Sequence, residues 1–266
     1  MSPSLNNREV TADDASPDRW MAVLHGIFGA GRNWAMVARS IVRSRPEWGL
    51  LLVDLRQHAG SRGFDPPHTL FRTASDLDTL PPDRPLTAVM GHSFGGKVAL
   101  LRGHDDPGLE QVWVIDSTPD VGKPWGGPWS LLSLLRELPD RFDRRSEAVT
   151  ALQARGVGEG IARWMATNLE WRDDAFRWRL DLDDMEAMLL EFYRTDLWPL
   201  VEVPRPGLTI HFVRATGSAV LGADALGRIR AAGEETGRVF LHEVQGNHWL
   251  NADNPDALVE LLVANL

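Results

Sequence analysis

Short apolar runs alternate with amphipathic segments over most of this chain. The runs have the length of buried strands and lie at 20–24, 50–53, 86–90, 111–115, 208–213 and 239–244. Segments with helical periodicity or composition follow most of them, at 33–43, 70–80, 97–102, 223–232 and from Pro255 onward. Apolar strands that alternate with helices form a mostly parallel sheet, because the crossover helices cover both of its faces. The pattern therefore predicts an α/β fold built on one such sheet.

The alternation stops between residue 120 and about residue 200. This segment has no clear strand pattern, but it has helical periodicity at 130–138, 146–155 and 184–193. We therefore expect an inserted all-helical cap over 120–200, and an α/β core formed by 19–119 and 201–266. Residues 1–18 are polar and rich in Asn, Asp, Ser and Pro, so we expect a loose lead-in with at most one short strand.

Composition restricts the partners and the chemistry. The formal net charge of −9 argues against nucleic acid or an anionic membrane as a partner. The absence of cysteine excludes disulfides, thiolate metal sites and a cysteine nucleophile. No cluster of His and Asp has the spacing of metal ligands, so no metal is expected. We expect neither a signal peptide nor a membrane span, because no suitable apolar run is visible, and we expect a cytoplasmic monomer or homodimer that acts on a small molecule.

The segment at 86–102 has the pattern of a nucleophile elbow. A predicted strand leads into Gly91-His92-Ser93-Phe94-Gly95-Gly96, and a predicted helix follows directly. In such an elbow the serine adopts a strained backbone angle, and glycines two positions before and after it leave room for the turn. The turn presents the hydroxyl of Ser93 at the carboxyl edge of the sheet, next to the N–H of Phe94. The alternative is a glycine-rich turn in which the serine is incidental.

A serine hydroxyl needs a base within hydrogen-bond reach, and the base needs an acid that orients it. His248 follows the last predicted strand, in Gly246-Asn247-His248-Trp249, and so lies at the same edge of the sheet as Ser93. We expect His248 to be the base. His25 and His92 flank backbone turns, and a structural role is the simpler interpretation of both.

The acid is expected at Asp116, which ends the strand beside the elbow strand. The usual position for this acid is the loop after the following strand of the sheet, but that loop has no carboxylate before Asp224, which falls in a predicted helix. Both positions border the space in which the histidine must lie. Alternatively, Asp116 caps a turn with the two hydroxyl residues after it, and Asp120 or Asp224 is the acid.

Two backbone N–H groups must point to the place where negative charge develops on the substrate. Phe94 supplies one of them through its position after Ser93. We assign the second to Phe28, which lies in the glycine-flanked loop after the strand at 20–24. Phe28, His92 and Trp249 are also the candidates for substrate binding, because they lie on or beside the catalytic loops.

Four motifs in this chain together resemble the α/β-hydrolase superfamily. They are His25-Gly26-x-Phe28-Gly29, Asp54-Leu55-Arg56-x-His58-x-x-Ser61, Gly91-His92-Ser93-x-Gly95-Gly96-Lys97 and Gly246-x-His248-Trp249. More narrowly, they resemble small bacterial carboxylesterases and their mitochondrial abhydrolase-domain relatives, to which Met165-Ala166-Thr167-Asn168-Leu169 in the cap is also similar. In that branch the acid follows the earlier strand and a serine occupies the usual acid position, which matches Asp116 and Ser218.

The resemblance implies a serine hydrolase that cleaves carboxylic esters of short to medium acyl chains through an acyl-Ser93 intermediate, without a metal or other cofactor. A thioesterase or a cofactor-free perhydrolase or haloperoxidase would use the same triad. A low-turnover ligand-binding receptor of the same fold is the alternative from another class, because one fold supports many functions.

Tryptophan is concentrated in the predicted cap. Six of the eleven tryptophans lie there, namely Trp125, Trp129, Trp164, Trp171, Trp178 and Trp198. They would form an apolar lid that favours hydrophobic esters, although most of them are expected to serve packing against the core.

Overall fold

The computed structural model, which describes residues 3–124 and 126–266, has a strand at each of the six predicted apolar runs and three further strands. They are β1 (Asn7–Val10), β2 (Arg19–Leu24), β3 (Trp48–Val53), β4 (Leu86–His92), β5 (Gln111–Ile115), β6 (Leu169–Arg172), β7 (Ala175–Trp178), β8 (Thr209–Ala215) and β9 (Val239–Val244). The helices are α1 (Ala35–Ser44), α2 (Leu70–Ser75), α3 (Phe94–Asp105), α4 (Gly127–Glu137), α5 (Arg145–Gln153), α6 (Glu159–Ala166), α7 (Leu182–Arg194), α8 (Trp198–Glu202), α9 (Ala223–Thr236), α10 (Leu250–Asp253) and α11 (Pro255–Asn265). Trp125 lies outside the described residues.

Seven strands form one sheet in the order β1-β3-β2-β4-β5-β8-β9. All neighbouring strands are parallel except β1, which pairs antiparallel with β3 at one edge. Both faces of the sheet are covered, since Trp20, Ala22 and Leu24 belong to one buried cluster whereas Met21 and Val23 belong to the other. The predicted fold class, a mostly parallel sheet flanked by helices, is confirmed.

The segment between β5 and β8 is not all-helical, so this part of the prediction is wrong. Strands β6 and β7 form an antiparallel hairpin of their own, joined by Asp173 and Asp174. Both turn residues have positive φ (52° and 56°), as a two-residue hairpin turn of type I′ requires. The alternating pattern of the hairpin is only four residues long on each side, and its charged residues resemble a solvated helix face. Of the described residues, 3–124 and 126–266, none belongs to a helix long and apolar enough to cross a membrane.

The two ends of this insert, which we define as residues 120–200, meet on a buried lysine of α3. Lys97 is completely buried, and its Nζ donates to the carbonyl oxygens of Asp120 (2.6 Å), Phe192 (2.7 Å) and Thr195 (2.6 Å). Asp120 lies at the start of the insert, whereas Phe192 lies in the last turn of α7 and Thr195 directly follows that helix, near the end of the insert. One cation therefore fastens both junctions to the helix that begins at Ser93.

Candidate active site

The backbone at Ser93 has the strain expected of a nucleophile elbow. Ser93 lies between β4 and α3 with φ 51° and ψ −115°, outside the regions that non-glycine residues prefer. The neighbouring glycines are sterically required. A Cβ at Gly91 would lie 1.9 Å from the carbonyl oxygen of Gly95, and one at Gly95 would lie 2.6 Å from that of His25.

Hydrogen bonds from β5 and the residues after it hold the elbow. The N–H of Ser93 donates to the carbonyl of Ile115 at 3.0 Å, and the hydroxyl of Ser117 donates to the carbonyl of Ser93 at 2.6 Å. Ser117 is completely buried. Sequence reasoning considered this serine only as a partner in a turn, because the contact depends on how β5 lies beside β4.

Asp116 and His248 form a hydrogen-bonded contact in which the carboxylate is completely buried. Nδ1 of His248 lies 2.7 Å from Oδ2 of Asp116, and Oδ1 of Asp116 accepts the N–H of Ala215 at 3.1 Å. The hydroxyl of Ser218 also donates to this carboxylate. Burial alone would raise the pKa of Asp116, but the hydrogen bonds from His248, Ser218 and Ala215 and the charge of His248 outweigh it and lower the pKa below its usual value. The carboxylate is therefore held ionised beside the imidazole.

The two atoms expected to react are left available. Within the described parts of the chain, neither Nε2 of His248 nor Oγ of Ser93 has a hydrogen-bond partner. Nε2 is the ring nitrogen that faces away from Asp116, and Ser93 is half-buried. Catalytic hydrogen bonds often tighten only when a substrate binds, so this geometry is compatible with a base and a nucleophile.

Neither reserve acid contacts the histidine in the structure. Asp120 accepts hydrogen bonds from Trp198 Nε1 and from the hydroxyl of Thr118. Asp224 is exposed in the first turn of α9. Of the three carboxylates considered from the sequence, the structure brings only Asp116 to His248.

The backbone of Phe28 differs from the prediction. Its N–H, which we assigned to the oxyanion, donates instead to Nε2 of the buried His58 at 3.1 Å. Phe28 has φ 62°, a left-handed conformation that the sequence did not predict. The side chain is 1% exposed within the main core cluster, so it packs there and does not line an open pocket for substrate. Both roles assigned to Phe28 are therefore corrected.

His25 and His58 hold this loop as neutral side chains. Nδ1 of His25 donates to the carbonyl of Gly26 at 2.7 Å, and its Nε2 accepts the N–H of Leu55 at 3.0 Å. Burial and, to a lesser extent, the nearby His25 lower the pKa of His58 to about 3, against a hydrogen bond to the carbonyl of Arg56. Burial likewise lowers the pKa of His25. A neutral ring is required in both, because Nε2 accepts a backbone N–H.

His92 supports the base loop and is not placed to bind substrate, which corrects the substrate-binding assignment. The ring is 4% exposed, and its Nε2 donates to the carbonyl of His248 at 2.8 Å. Burial lowers the pKa of His92 to about 3.

Trp249 is half-buried beside His248, with ring centroids 5.5 Å apart, and its ring centroid also lies 5.9 Å from that of Trp164 in α6. Its substrate-binding role stays a prediction.

Among residues 3–124 and 126–266, no group of three or more acidic or histidine side chains could hold a metal ion.

Two residues beside the site were not predicted from the sequence. They are Ile27, whose N–H has no acceptor within the described residues, and Asn168, which reaches the loop from the insert. Only the similarity of the Met165–Leu169 segment to known esterases drew attention to Asn168.

Known proteins are similar to this chain over nearly all of its length. A model of the alpha/beta hydrolase family matches residues 22–261. The sn-1-specific diacylglycerol lipase ABHD11 of Danio rerio is 25% identical over 261 residues, which cover 95% of this chain and 79% of the relative. Esterase YbfF of Escherichia coli strain K12 is 31% identical over 118 residues, 43% of this chain and 45% of the relative. A solved marine microorganism esterase has the same fold, with a TM-score of 0.84 and 20% identity over the full length of both chains.

Proposed function

This chain belongs to the alpha/beta hydrolase family, and we propose that it is a serine hydrolase that cleaves carboxylic esters of short to medium acyl chains. The contact of 2.7 Å between Asp116 and His248, beside the strained turn at Ser93, carries the proposal. An ionised carboxylate on Nδ1 leaves Nε2 of the imidazole unprotonated and able to take a proton. Two relatives, named as a diacylglycerol lipase and an esterase, support esters as the substrate class.

The reaction follows from this arrangement in two halves. Oγ of Ser93 attacks the ester carbonyl carbon while its proton passes to Nε2 of His248, and Asp116 stabilises the imidazolium. The tetrahedral intermediate expels the alcohol, which takes the proton from His248 as the acyl-Ser93 forms. A water molecule then gives a proton to Nε2 and attacks the acyl carbon. Expulsion of Oγ, which recovers the proton, releases the carboxylic acid.

We assign the oxyanion to the N–H groups of Phe94 and Ile27. Phe94 is the first residue of α3, where an amide has no intrahelical acceptor and the helix dipole favours negative charge. Ile27 replaces Phe28 because its N–H lacks an acceptor within the described residues. The adjoining loop lies against the nucleophile, since a Cβ at Gly26 would lie 3.3 Å from Cβ of Ser93. Two such donors stabilise the charge that develops on the carbonyl oxygen.

The test is hydrolysis of p-nitrophenyl esters from acetate to octanoate, together with labelling by a fluorophosphonate. Wild-type protein should hydrolyse the esters and take one label, whereas Ser93→Ala should lose the label and about a millionfold in kcat. Ser130→Ala, which changes an exposed serine of α4, should retain both. Labelling without ester turnover would contradict ester hydrolysis and would indicate a thioesterase or a perhydrolase. Absence of both label and turnover would favour a receptor.

A further inference from the structure

The loop beside Ser93 is held at both polar backbone atoms of Phe28 by side chains from distant parts of the chain. The N–H donates to Nε2 of His58 at 3.1 Å, and the carbonyl oxygen accepts Nδ2 of Asn168 at 2.8 Å. Both hydrogen bonds are buried, and Asn168 is only 2% exposed. Such an amide has few ways to satisfy its hydrogen bonds, so the contact is well defined in direction as well as in length.

Asn168 is itself rigidly placed. Its N–H donates to the carbonyl of Met165 at the end of α6, and its carbonyl accepts the N–H of Arg179 after β7 (2.9 and 2.8 Å). The residue therefore joins a helix end to the hairpin at its base. Its side chain points from there into the core, toward the loop at 25–31.

This contact decides the direction of the peptide groups next to the nucleophile. The Phe28 residue is bulky and has φ 62°, a conformation that persists only where the surroundings impose it. His58 holds the peptide group before Phe28 and Asn168 holds the one after it, so that each is restrained by a buried hydrogen bond. The N–H of Ile27 belongs to the preceding peptide group, whose carbonyl, that of Gly26, accepts Nδ1 of His25 at 2.7 Å and the N–H of Gly29 at 3.0 Å. Asn168 therefore acts on this N–H through the backbone of Phe28 and the turn that it closes.

We propose that Asn168 is a positioning residue that couples the docked insert to the oxyanion loop, so that the second oxyanion donor is aligned only while the insert is in place. The inference rests on the proposed serine hydrolase function. Asn168 contacts no reacting atom; it acts through the backbone of Phe28. Arg32 offers a comparison within the same contact region, because its Nη2 donates to the carbonyl of Thr167 at 3.0 Å, also between core and insert, without touching Phe28.

The test compares Asn168→Asp and Asn168→Ala with Arg32→Ala. Asn168→Asp retains size and shape but places a carboxylate oxygen against the carbonyl of Phe28, so kcat for p-nitrophenyl butyrate should fall about tenfold to a hundredfold. KM should stay within about twofold, and affinity for a phenylboronic acid, which mimics the tetrahedral intermediate, should fall by a factor similar to that for kcat. Asn168→Ala should also lower kcat and the affinity for the phenylboronic acid. Arg32→Ala should stay near the wild type in both readouts.

Hydrogen exchange of peptides covering residues 25–31 provides a readout without activity. Exchange there should accelerate in both Asn168 variants and not in Arg32→Ala, with thermal midpoints measured to identify a general loss of stability. Equal effects of Arg32→Ala, a change in KM alone, or unchanged kcat and exchange would overturn the inference. If the wild type hydrolyses no ester, the proposed function fails, and the exchange experiment alone then decides whether Asn168 positions the loop.

Discussion

Oδ2 of Asp116 lies 2.7 Å from Nδ1 of His248, although 132 residues separate the two in the sequence. Asp116 follows β5, and β8 lies between β5 and β9, so the acid approaches the histidine from one strand further into the sheet. Two further hydrogen bonds hold its carboxylate in this position. They are donated by the N–H of Ala215, at the end of β8, and by the hydroxyl of Ser218. This relationship makes the acid assignment directly testable.

Asp116→Asn should lower kcat by about ten-thousandfold, because an amide that donates to the imidazole holds the wrong tautomer. The measurement is p-nitrophenyl ester hydrolysis, with the far-UV spectrum and thermal midpoint as evidence that the variant folds. Asp224→Asn is the matched control and should retain activity within about twofold, since Asp224 is exposed on α9. Collapse of Asp224→Asn with retention by Asp116→Asn would contradict the assignment.

A second prediction uses the hydroxyl of Ser218, which hydrogen-bonds to the carboxylate of Asp116. The double variant Asp116→Ser, Ser218→Asp exchanges the two groups and keeps one carboxylate beside His248. Its kcat should exceed that of the single variant Asp116→Ser by about tenfold or more, because an ion pair to the imidazolium is restored. The measurement is the steady-state kcat of both variants. An equal loss in the two would show that position 218 cannot orient the base.

A third prediction concerns acid stability. The pKa of His58 is lowered to about 3 by burial, so below the unfolded value near 6.5 the unfolded chain binds a proton that the folded chain does not. The free energy of unfolding therefore falls as the pH falls from about 6.5, with about 1.4 kcal/mol per pH unit from this residue. Below the folded pKa this contribution to the slope ends.

His58→Gln should remove that part of the slope, because glutamine does not titrate and its Oε1 can still accept the N–H of Phe28. Between pH 6.5 and 5 the variant should lose about 2 kcal/mol less than the wild type in urea unfolding. His104→Gln, at an exposed position of α3, is the control. Parallel pH profiles for wild type and His58→Gln would refute a neutral buried His58.

The mostly parallel sheet and the contact between Asp116 and His248 could be predicted because they depend on local patterns and on the common edge at which parallel strands end. The direction of the Phe28 N–H could not be predicted from the sequence. It depends on the sign of one φ angle and on its acceptor, His58, which lies thirty residues away in the chain. The contact of Asn168 with Phe28 was out of reach for the same reason. Short strands such as β6 carry too few alternating positions to be distinguished from a charged helix.

The last prediction concerns Lys97, whose ammonium group is the shared donor at both junctions of the insert. Burial lowers its pKa to about 8, against the charges of Asp120 and Asp196, so the group remains mostly protonated at pH 7. Lys97→Met retains the length of the side chain but leaves three partly buried carbonyls without this donor, and each unsatisfied group costs about 1 kcal/mol. The variant should therefore lose about 3 kcal/mol of stability.

That loss should be concentrated at the insert, because the carbonyls belong to its two ends and not to the sheet. Limited proteolysis should cut within 120–200 faster in Lys97→Met than in the wild type, before the remainder of the chain is degraded. Lys123→Met is the matched control, since Lys123 is an exposed lysine of the same insert. If the two variants have the same thermal midpoint and the same cleavage rate, Lys97 does not fasten the insert, and its burial in α3 needs another explanation.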